Sequence, residues 1–439
     1  MNLALAKTET GRAVSDLFAA ALDRLPGAGR VAEVRRQAFE AFERLGLPHR
    51  RIEEWKYTDL RALMREIKPL APKPDAAALA RARTALQSHA VEGASKLVLV
   101  DGVFVPELSD AAGAGVSVRT LREILENAGS QAVADLLITN PPDVMISLNA
   151  ALATDGVVVG IAEGAALAHP IQIIHVATAA SASAFTRSLL QIGKGGRVTL
   201  VESFVAAEGA TAYQANDAVI LSIGDGAELS QVRLMADAAD AVNITSQIFT
   251  VGARAKVNLF NMTSGGAVSR LQGFITMAGE GAELSVNGVN LLKATQHGDT
   301  TLVVDHAVPD CTSREVFRAV VDDRAHSVFQ GRIIVRPDAQ KTDGKMMTRA
   351  LLLSDEAEAD NKPELEIFAD DVSCGHGATA GALDDNLLFY LRARGLPEKE
   401  AQALLIQAFV GEAIETIADD ALREFAMAVA ARWLEARGR

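Results

Sequence analysis

Between residues 155 and 372 the chain carries a series of short β-rich runs, cut by Gly and Asp, that recur at a nearly constant step. The runs include GVVVGIA, IQIIHVA, RVTLVESFV, DAVILSIG, ITSQIFTVG, SRLQGFITMAG, TTLVVDHAV and GRIIVRP. Four segments align at or near glycine-bearing turns: Gly196-Arg-Val198, Ala227-Glu-Leu229, Ala255-Lys-Val257 and Ala282-Glu-Leu284. Their last positions are separated by 31, 28 and 27 residues. A step of this size, made of strands and turns without intervening helices, is the signature of a β-solenoid, in which each coil buries its apolar stripe against the next. A β-sandwich is the competing architecture. It would show more two-residue hairpin turns of the kind offered by Asn287-Gly288, and the recurring step favours the solenoid.

Helical periodicity brackets this region. Apolar residues three and four apart predict helices over Ser15–Leu25, Ala32–Leu45, Asp59–Ile67 and Ala76–Leu86. A Pro/Lys-rich break spans Pro69–Pro74. A mixed stretch follows, with a strand at KLVLVDG, helices over Thr120–Asn127 and Gln131–Ile138, and a turn at Asn140-Pro-Pro. After the β region, Leu383–Arg394 has Asp384 and Asp385 in its first turn and Arg392 and Arg394 in its last, which complements the helix dipole. Gly395 fits a C-cap and Pro397 the start of another helix, followed by Ala421–Ala436. The expected organisation is mainly β. It comprises an N-terminal helical domain (1–95), a mixed connection (96–150), a solenoid core (151–376) and a C-terminal helical domain (377–439). On pattern alone, the terminal helices either cap the rod or dock another protein.

Composition narrows the function classes. The 439 residues are 49% hydrophobic and only 5% aromatic, and the formal net charge is −13. That balance argues against nucleic acid as a partner, since phosphate neutralisation needs clustered Lys and Arg. No uninterrupted apolar run reaches the ~18 residues of a membrane span, and no secretory signal is visible, so a cytoplasmic location is expected. Two cysteines, Cys311 and Cys374, make neither a disulfide framework nor a C-x-x-C zinc site. No Gly-x-x-x-x-Gly-Lys-Ser/Thr phosphate loop occurs.

Cys374 and His376 stand out because they flank one residue at the end of the alternating stretch Pro363–Thr379. On an extended strand both point to one face. A soft thiolate and a borderline imidazole suit iron–sulfur chemistry or zinc better than magnesium or calcium. Two donors do not close a tetrahedral site, however, and both could be ordinary packed or hydrogen-bonded side chains. His297 and His306, nine residues apart, fall on opposite faces of an unbroken strand and read as hydrogen-bonded polar residues. Cys311 reads as a bystander.

An ordered set of motifs resembles the SufB/SufD family, the scaffold subunits of SUF iron–sulfur cluster assembly. The matching segments are Glu53-Glu54-Trp55-Lys56-Tyr57-Thr58, Gln296-His297-Gly-Asp299 with Asp305-His306, Phe329-Gln330-Gly331-Arg332, and Ala339-Gln340-Lys341-Thr342-Asp343. Asp370-Asp-Val-Ser-Cys374-Gly-His376-Gly-Ala-Thr379 is the most specific, and Leu388-Phe-Tyr-Leu-Arg-Ala-Arg-Gly395 continues it. The chain is more similar to the SufD side of that family. SufB-like chains carry His-Glu-Ala-Thr where this one has His376-Gly-Ala-Thr379, and they tend to bear more cysteines.

The resemblance implies a right-handed parallel β-helix flanked by helical domains. It also implies a non-catalytic scaffold that pairs with a SufB-like paralogue and binds a SufC-like ATPase in which ATP hydrolysis resides. A homodimer in isolation is a further form to expect. The implied cargo is a transient iron–sulfur cluster with no permanently bound cofactor. His376, with Cys374 as helper, would supply candidate cluster ligands at the heterodimer interface. The ATPase would dock on the C-terminal helices through Leu383, Leu387, Phe389, Tyr390, Leu404, Leu405 and Phe409. Outside this family, the rival functions are a β-solenoid carbohydrate lyase or hydrolase and a purely structural adaptor.

Overall fold

A computed structural model describes residues 9–127, 135–137 and 143–437. Sixteen strands, β4 (Val157–Ile161) to β19 (Ser373–Gly381), alternate between two parallel sheets. Each coil gives one strand to each sheet, so β4–β5 to β18–β19 make eight coils of a β-solenoid. These strands follow β1 (Ser95–Val100), β2 (Val103–Phe104) and β3 (Val116–Thr120). One sheet runs β18 (Glu358–Ile367), β16 (His326–Val335), β14 (His297–His306), β12 (Val268–Met277), β10 (Val242–Val251), β8 (Gln214–Ile223), β6 (Ser183–Ile192), β4, and the other β19, β17 (Asp343–Leu352), β15 (Thr312–Val321), β13 (Glu283–Leu292), β11 (Lys256–Thr263), β9 (Glu228–Ala236), β7 (Arg197–Ala206), β5 (Ile171–Ala177).

The recurring step in the sequence is the pairing register itself. Val198 on β7 (Arg197–Ala206) lies opposite Leu229 on β9 (Glu228–Ala236). Leu229 lies opposite Val257 on β11 (Lys256–Thr263), and Val257 opposite Leu284 on β13 (Glu283–Leu292). Because side chains alternate along each strand, in-register stacking sorts whole columns of residues inward or outward. The inward columns from both sheets form one continuous core, which includes Val198, Val219, Leu229, Val251, Val257, Leu284 and Val304.

Glycines at the strand-to-strand corners have a steric cause. A Cβ at Gly224 would sit 2.8 Å from the Lys194 backbone nitrogen, one at Gly252 2.8 Å from the Ile223 carbonyl oxygen, and one at Gly279 1.9 Å from the Ala253 backbone nitrogen. Backbone of the preceding coil fills the space a side chain would need.

Helices clothe the outer faces. Glu9–Ala21, Arg30–Leu45 and the buried helix Val144–Leu152 pack with Trp55 and Leu60 on the outer face of the first sheet, against Phe185, Val242, Ile244 and Val268. On the second sheet's outer face, Ile406, Val410, Ala413 and Ile414 of Glu398–Ile414 and Leu422, Ala426, Ala430 and Trp433 of Asp420–Arg437 cover Val232, Phe260, Val289 and Val320.

The helix expected over Asp59–Ile67 is only Leu60–Leu63, with the Asp59 carboxylate capping it. The chain then extends to reach the solenoid, where the Ala71 N–H donates to the Ser183 carbonyl. Most of Gln131–Ile138, and the Asn140-Pro-Pro turn, lie outside the described residues, with Asp135–Leu137 a short 3-10 turn. The sequence reading missed the helix Val144–Leu152. It is apolar almost all round, and eight of its nine residues are buried, so it carries no amphipathic stripe.

Two distant motifs meet in this architecture. Trp55 is buried, its indole N–H donates to Asp143 at 3.2 Å, and the Arg270 guanidinium lies over its ring at 3.8 Å. Arg270 also pairs with Asp299, both side chains being fully buried, and donates to the Glu54 carbonyl at 2.7 Å. Thr58 donates to Asp299 and lies 2.9 Å from His297. The Glu53–Thr58 segment therefore latches the N-terminal helices onto β12 (Val268–Met277) and β14 (His297–His306).

Two outcomes are expected. Gly279→Ala should destabilise the protein by about 1–3 kcal/mol or more through overpacking, whereas Gly411→Ala, with open space around it, should be neutral or stabilising. Asp299→Ala leaves Arg270 buried without its counter-charge and should cost about 3–5 kcal/mol. Equilibrium denaturant unfolding measures both, and equal midpoints for Gly279→Ala and wild type would refute the corner account.

Candidate functional site

The open end of the rod is built by β18 (Glu358–Ile367) and β19, the last strands of the two sheets. Each is paired on one side only, with β16 (His326–Val335) and β17 (Asp343–Leu352) respectively. Cys374 lies opposite Gly344 and His376 opposite Met346. The inward column that begins at Val198 thus continues through Leu284, Ser313, Gly344 and Cys374. Its neighbour runs Val286, Glu315, Met346 and His376. Cys374 and His376 share one face, and that face is the mouth of the solenoid lumen. Cys374 is half-buried against the core, and His376 is exposed.

The lumen changes character just beneath this pair. Leu284 gives way to Ser313 and then to Gly344, whose missing side chain leaves a Cβ position 3.4 Å from Ile333 and 3.5 Å from the Ser313 hydroxyl. His306 lies 3.0 Å from that hydroxyl through Nε2. Glu315 is fully buried and neither carboxylate oxygen has a hydrogen-bond partner. Burial raises its pKa to about 8 and lowers that of His306 to about 4, so at neutral pH this layer is mostly uncharged. Burial, and after it the nearby Asp343 carboxylate, also pushes the Cys374 thiol upward against an opposing hydrogen bond with the Gly344 backbone. In the free chain Cys374 is therefore held as the protonated thiol.

The other residues singled out from sequence divide clearly. His297 and His306 do fall on opposite faces: His297 lies under the N-terminal latch and His306 in the lumen. Cys311 is buried, its thiol directed at the Gly279 and Pro309 carbonyls. On the next strand of the same sheet His326, which faces the same way as His297, pairs with Asp360 at 2.8 Å and meets the His297 ring edge-on. Among the tail residues, Leu387, Phe389, Tyr390 and Leu404 are exposed, and Leu405 is partly covered. Leu383 and Phe409 pack against the helix–sheet core, and Arg318 lies over the Phe409 ring. The helix Asp385–Ala393 has no buried residue. Sequence reading missed Ser313 and Glu315. Their signal was parity with Cys374 and His376 through the coil register, which needs the later coils aligned as well as the first four.

Comparison with known proteins bears on the whole chain. Residues 175–409 match the SUF system FeS cluster assembly SufBD core domain, and residues 14–173 match the SufBD protein N-terminal region. The chain is 31% identical over 397 residues to the iron–sulfur cluster assembly protein SufD of Escherichia coli, covering 89% of this chain and 90% of that protein. It is 30% identical over 398 residues to the iron–sulfur cluster assembly SufBD family protein slr0076 of Synechocystis, covering 87% and 86%. With SufD of Bacillus subtilis it shares 25% identity over 303 residues, 66% of each chain.

The raised Glu315 pKa fixes the sign of a pH effect. A carboxyl held above its unfolded value stabilises the fold fully below about pH 4.5, and that contribution is lost as pH rises through about 8. Glu315→Gln should match wild type near pH 5 and exceed it at pH 8.5 by on the order of a few kcal/mol. Parallel denaturation curves at the two pH values test this, and a constant difference between them would refute it.

Proposed function

The chain belongs to the SufBD family of iron–sulfur cluster assembly proteins, and from that premise we propose that it is a scaffold subunit whose open solenoid end pairs with a SufB-like paralogue. The observation that carries this reading is the coincidence of the two unpaired edge strands with an exposed His376. Edge strands of nine and ten residues present free N–H and C=O groups that a second β-rod can complete. Exposed Ile367 and Phe368 at the same end add apolar surface to such a seam.

Across that seam His376 offers an imidazole, and Cys374 a thiol one step behind it. A nascent iron–sulfur cluster, as cargo, needs thiolate or imidazole donors together with open positions for incoming iron and sulfide. Each rod alone holds an incomplete set, and the pair supplies the rest. In isolation the same edges can join two copies of this chain.

In this proposal ATP hydrolysis belongs to a SufC-like partner docked on the helix Asp385–Ala393, where Leu387, Phe389 and Tyr390, with Leu404 of the next helix, are exposed apolar side chains. The following helices are packed rigidly on the solenoid. Approach of two docked ATPases would therefore be transmitted to the rods and would strain the seam near His376.

His376→Ala, co-expressed with the partner subunits, should leave an intact complex that assembles little or no cluster, read by iron and sulfide content and by the visible absorption of the anaerobically purified complex. Full cluster content would defeat the assignment. Leu387→Asp with Phe389→Asp should abolish co-purification of the ATPase while leaving the far-ultraviolet circular dichroism unchanged, and an ATPase that still co-purifies would refute the docking surface.

A further inference from the structure

The first coils of the solenoid contain a second set of ligating groups, five coils away from Cys374 and His376. His175 on β5 (Ile171–Ala177), Glu202 on β7 and Asp217 on β8 (Gln214–Ile223) belong to three successive coils. One atom from each lies within 4.8 Å of the others. Glu202 has the parity of Val198 and Leu200, so it replaces an aliphatic side chain in the lumen. The carboxylates are 0% and 1% exposed.

Each carboxylate is anchored through one oxygen and open at the other. Gln231 and Gln247 donate their amides to Oε2 of Glu202 at 2.5 and 2.8 Å, while Oε1 is buried without a partner. Thr186 donates to Oδ1 of Asp217 at 2.6 Å, while Oδ2 is buried without a partner. The His175 ring is held flat on Phe204, with centroids 4.3 Å apart, and its Nε2 is also buried and unpartnered. Outer donors that fix one oxygen and aim the other are what orient metal ligands.

An internal salt bridge does not account for the cluster. Arg233 approaches Glu202 only to 3.7 Å, none of its three guanidinium nitrogens makes a hydrogen bond, and its guanidinium lies over the Phe204 ring. Arg187, the other buried cation whose charge reaches Asp217, turns its guanidinium to the Leu136 and Leu137 carbonyls and to Asn149, so neither cation hydrogen-bonds the free oxygens Oε1 of Glu202 and Oδ2 of Asp217.

We propose that His175, Glu202 and Asp217 bind one first-row divalent metal ion inside the solenoid. One imidazole and two carboxylates, without thiolate, suit Fe(II), Mn(II) or Zn(II) rather than a cluster or Cu(I). Ligand atoms about 2.0–2.2 Å from such an ion stand at most about 4.4 Å apart, so the trio needs only small side-chain rotations to close. A small cavity of about 40 Å³ at the corner joining β5 to β6 (Ser183–Ile192) is lined by His175, Phe204 and Thr186, beside the trio.

The test uses the full chain, stripped with chelator under anaerobic conditions and titrated with Mn(II) or Zn(II) alone. Bound metal is counted after desalting, and the thermal midpoint is followed with and without the ion. Wild type, and the Cys374→Ala/His376→Ala double variant, should retain about one equivalent and melt higher in its presence. Asp217→Asn and Glu202→Gln, which keep side-chain volume, should fold yet lose both effects. Thr186→Val should bind roughly 10–100-fold more weakly. Wild type retaining no stoichiometric ion, or Asp217→Asn retaining it with wild-type affinity, would overturn the site.

Discussion

In-register hydrogen bonding between each coil and the next is the constraint from which the rest of the molecule follows. It stacks equivalent residues at steps near thirty, so one choice of parity decides whether a whole column faces the lumen or the outside. It brings successive corners into backbone contact, which leaves room only for glycine at Gly252 and Gly279. It also gives the rod two outer faces of fixed spacing, which helices from both ends of the chain cover. A slip of one residue in any coil would turn a core column out to solvent, so apolar burial and register enforce each other.

The lumen takes in a buried carboxylate on β7 and another at Glu315, and both follow the same column logic. Near the start, Glu202 and Gln231 occupy columns that hold Ile173 and Leu200 one coil earlier. Near the end, Ser313 and Glu315 follow Leu284 and Val286. A buried carboxylate destabilises a solenoid that could hold leucine in the same slot, so Glu202 and Glu315 point to chemistry at their layers rather than to packing.

Much of this was legible in the sequence because a solenoid repeats. The steps from Val198 to Leu284 are the observed register, and parity alone placed Cys374 and His376 on one face. What the sequence withheld depends on contacts between distant residues. Nothing local in Glu53–Thr58 says that its tryptophan will roof Arg270, or that Thr58 will reach Asp299. The two motifs look independent until the fold brings them together. The helix Val144–Leu152 was hidden because burial on all sides erases the period that identifies a surface helix. The tail was read as one surface, yet Phe409 and Leu383 serve the core while Phe389 and Tyr390 do not. Periodicity marks which side of a helix is apolar but not whether that side is already covered.

The two ends of the rod are finished differently, and that asymmetry has a physical meaning. At the start, each sheet closes on a short antiparallel strand: Val116–Thr120 against β4 on one, and Val103–Phe104 against Ser95–Val100 on the other. At the far end both sheets stop on full-length parallel strands with no antiparallel turn-back, and the chain leaves for the outer face of the second sheet. A solenoid left open in this way exposes its lumen, its backbone ladder and its least apolar columns at a single surface. Capping that end would have cost only another short strand like those at the start. The same uncapped geometry makes His376 accessible and holds Cys374 half-buried behind it, so the feature that weakens the isolated rod is the one that brings an imidazole and a thiol to its surface.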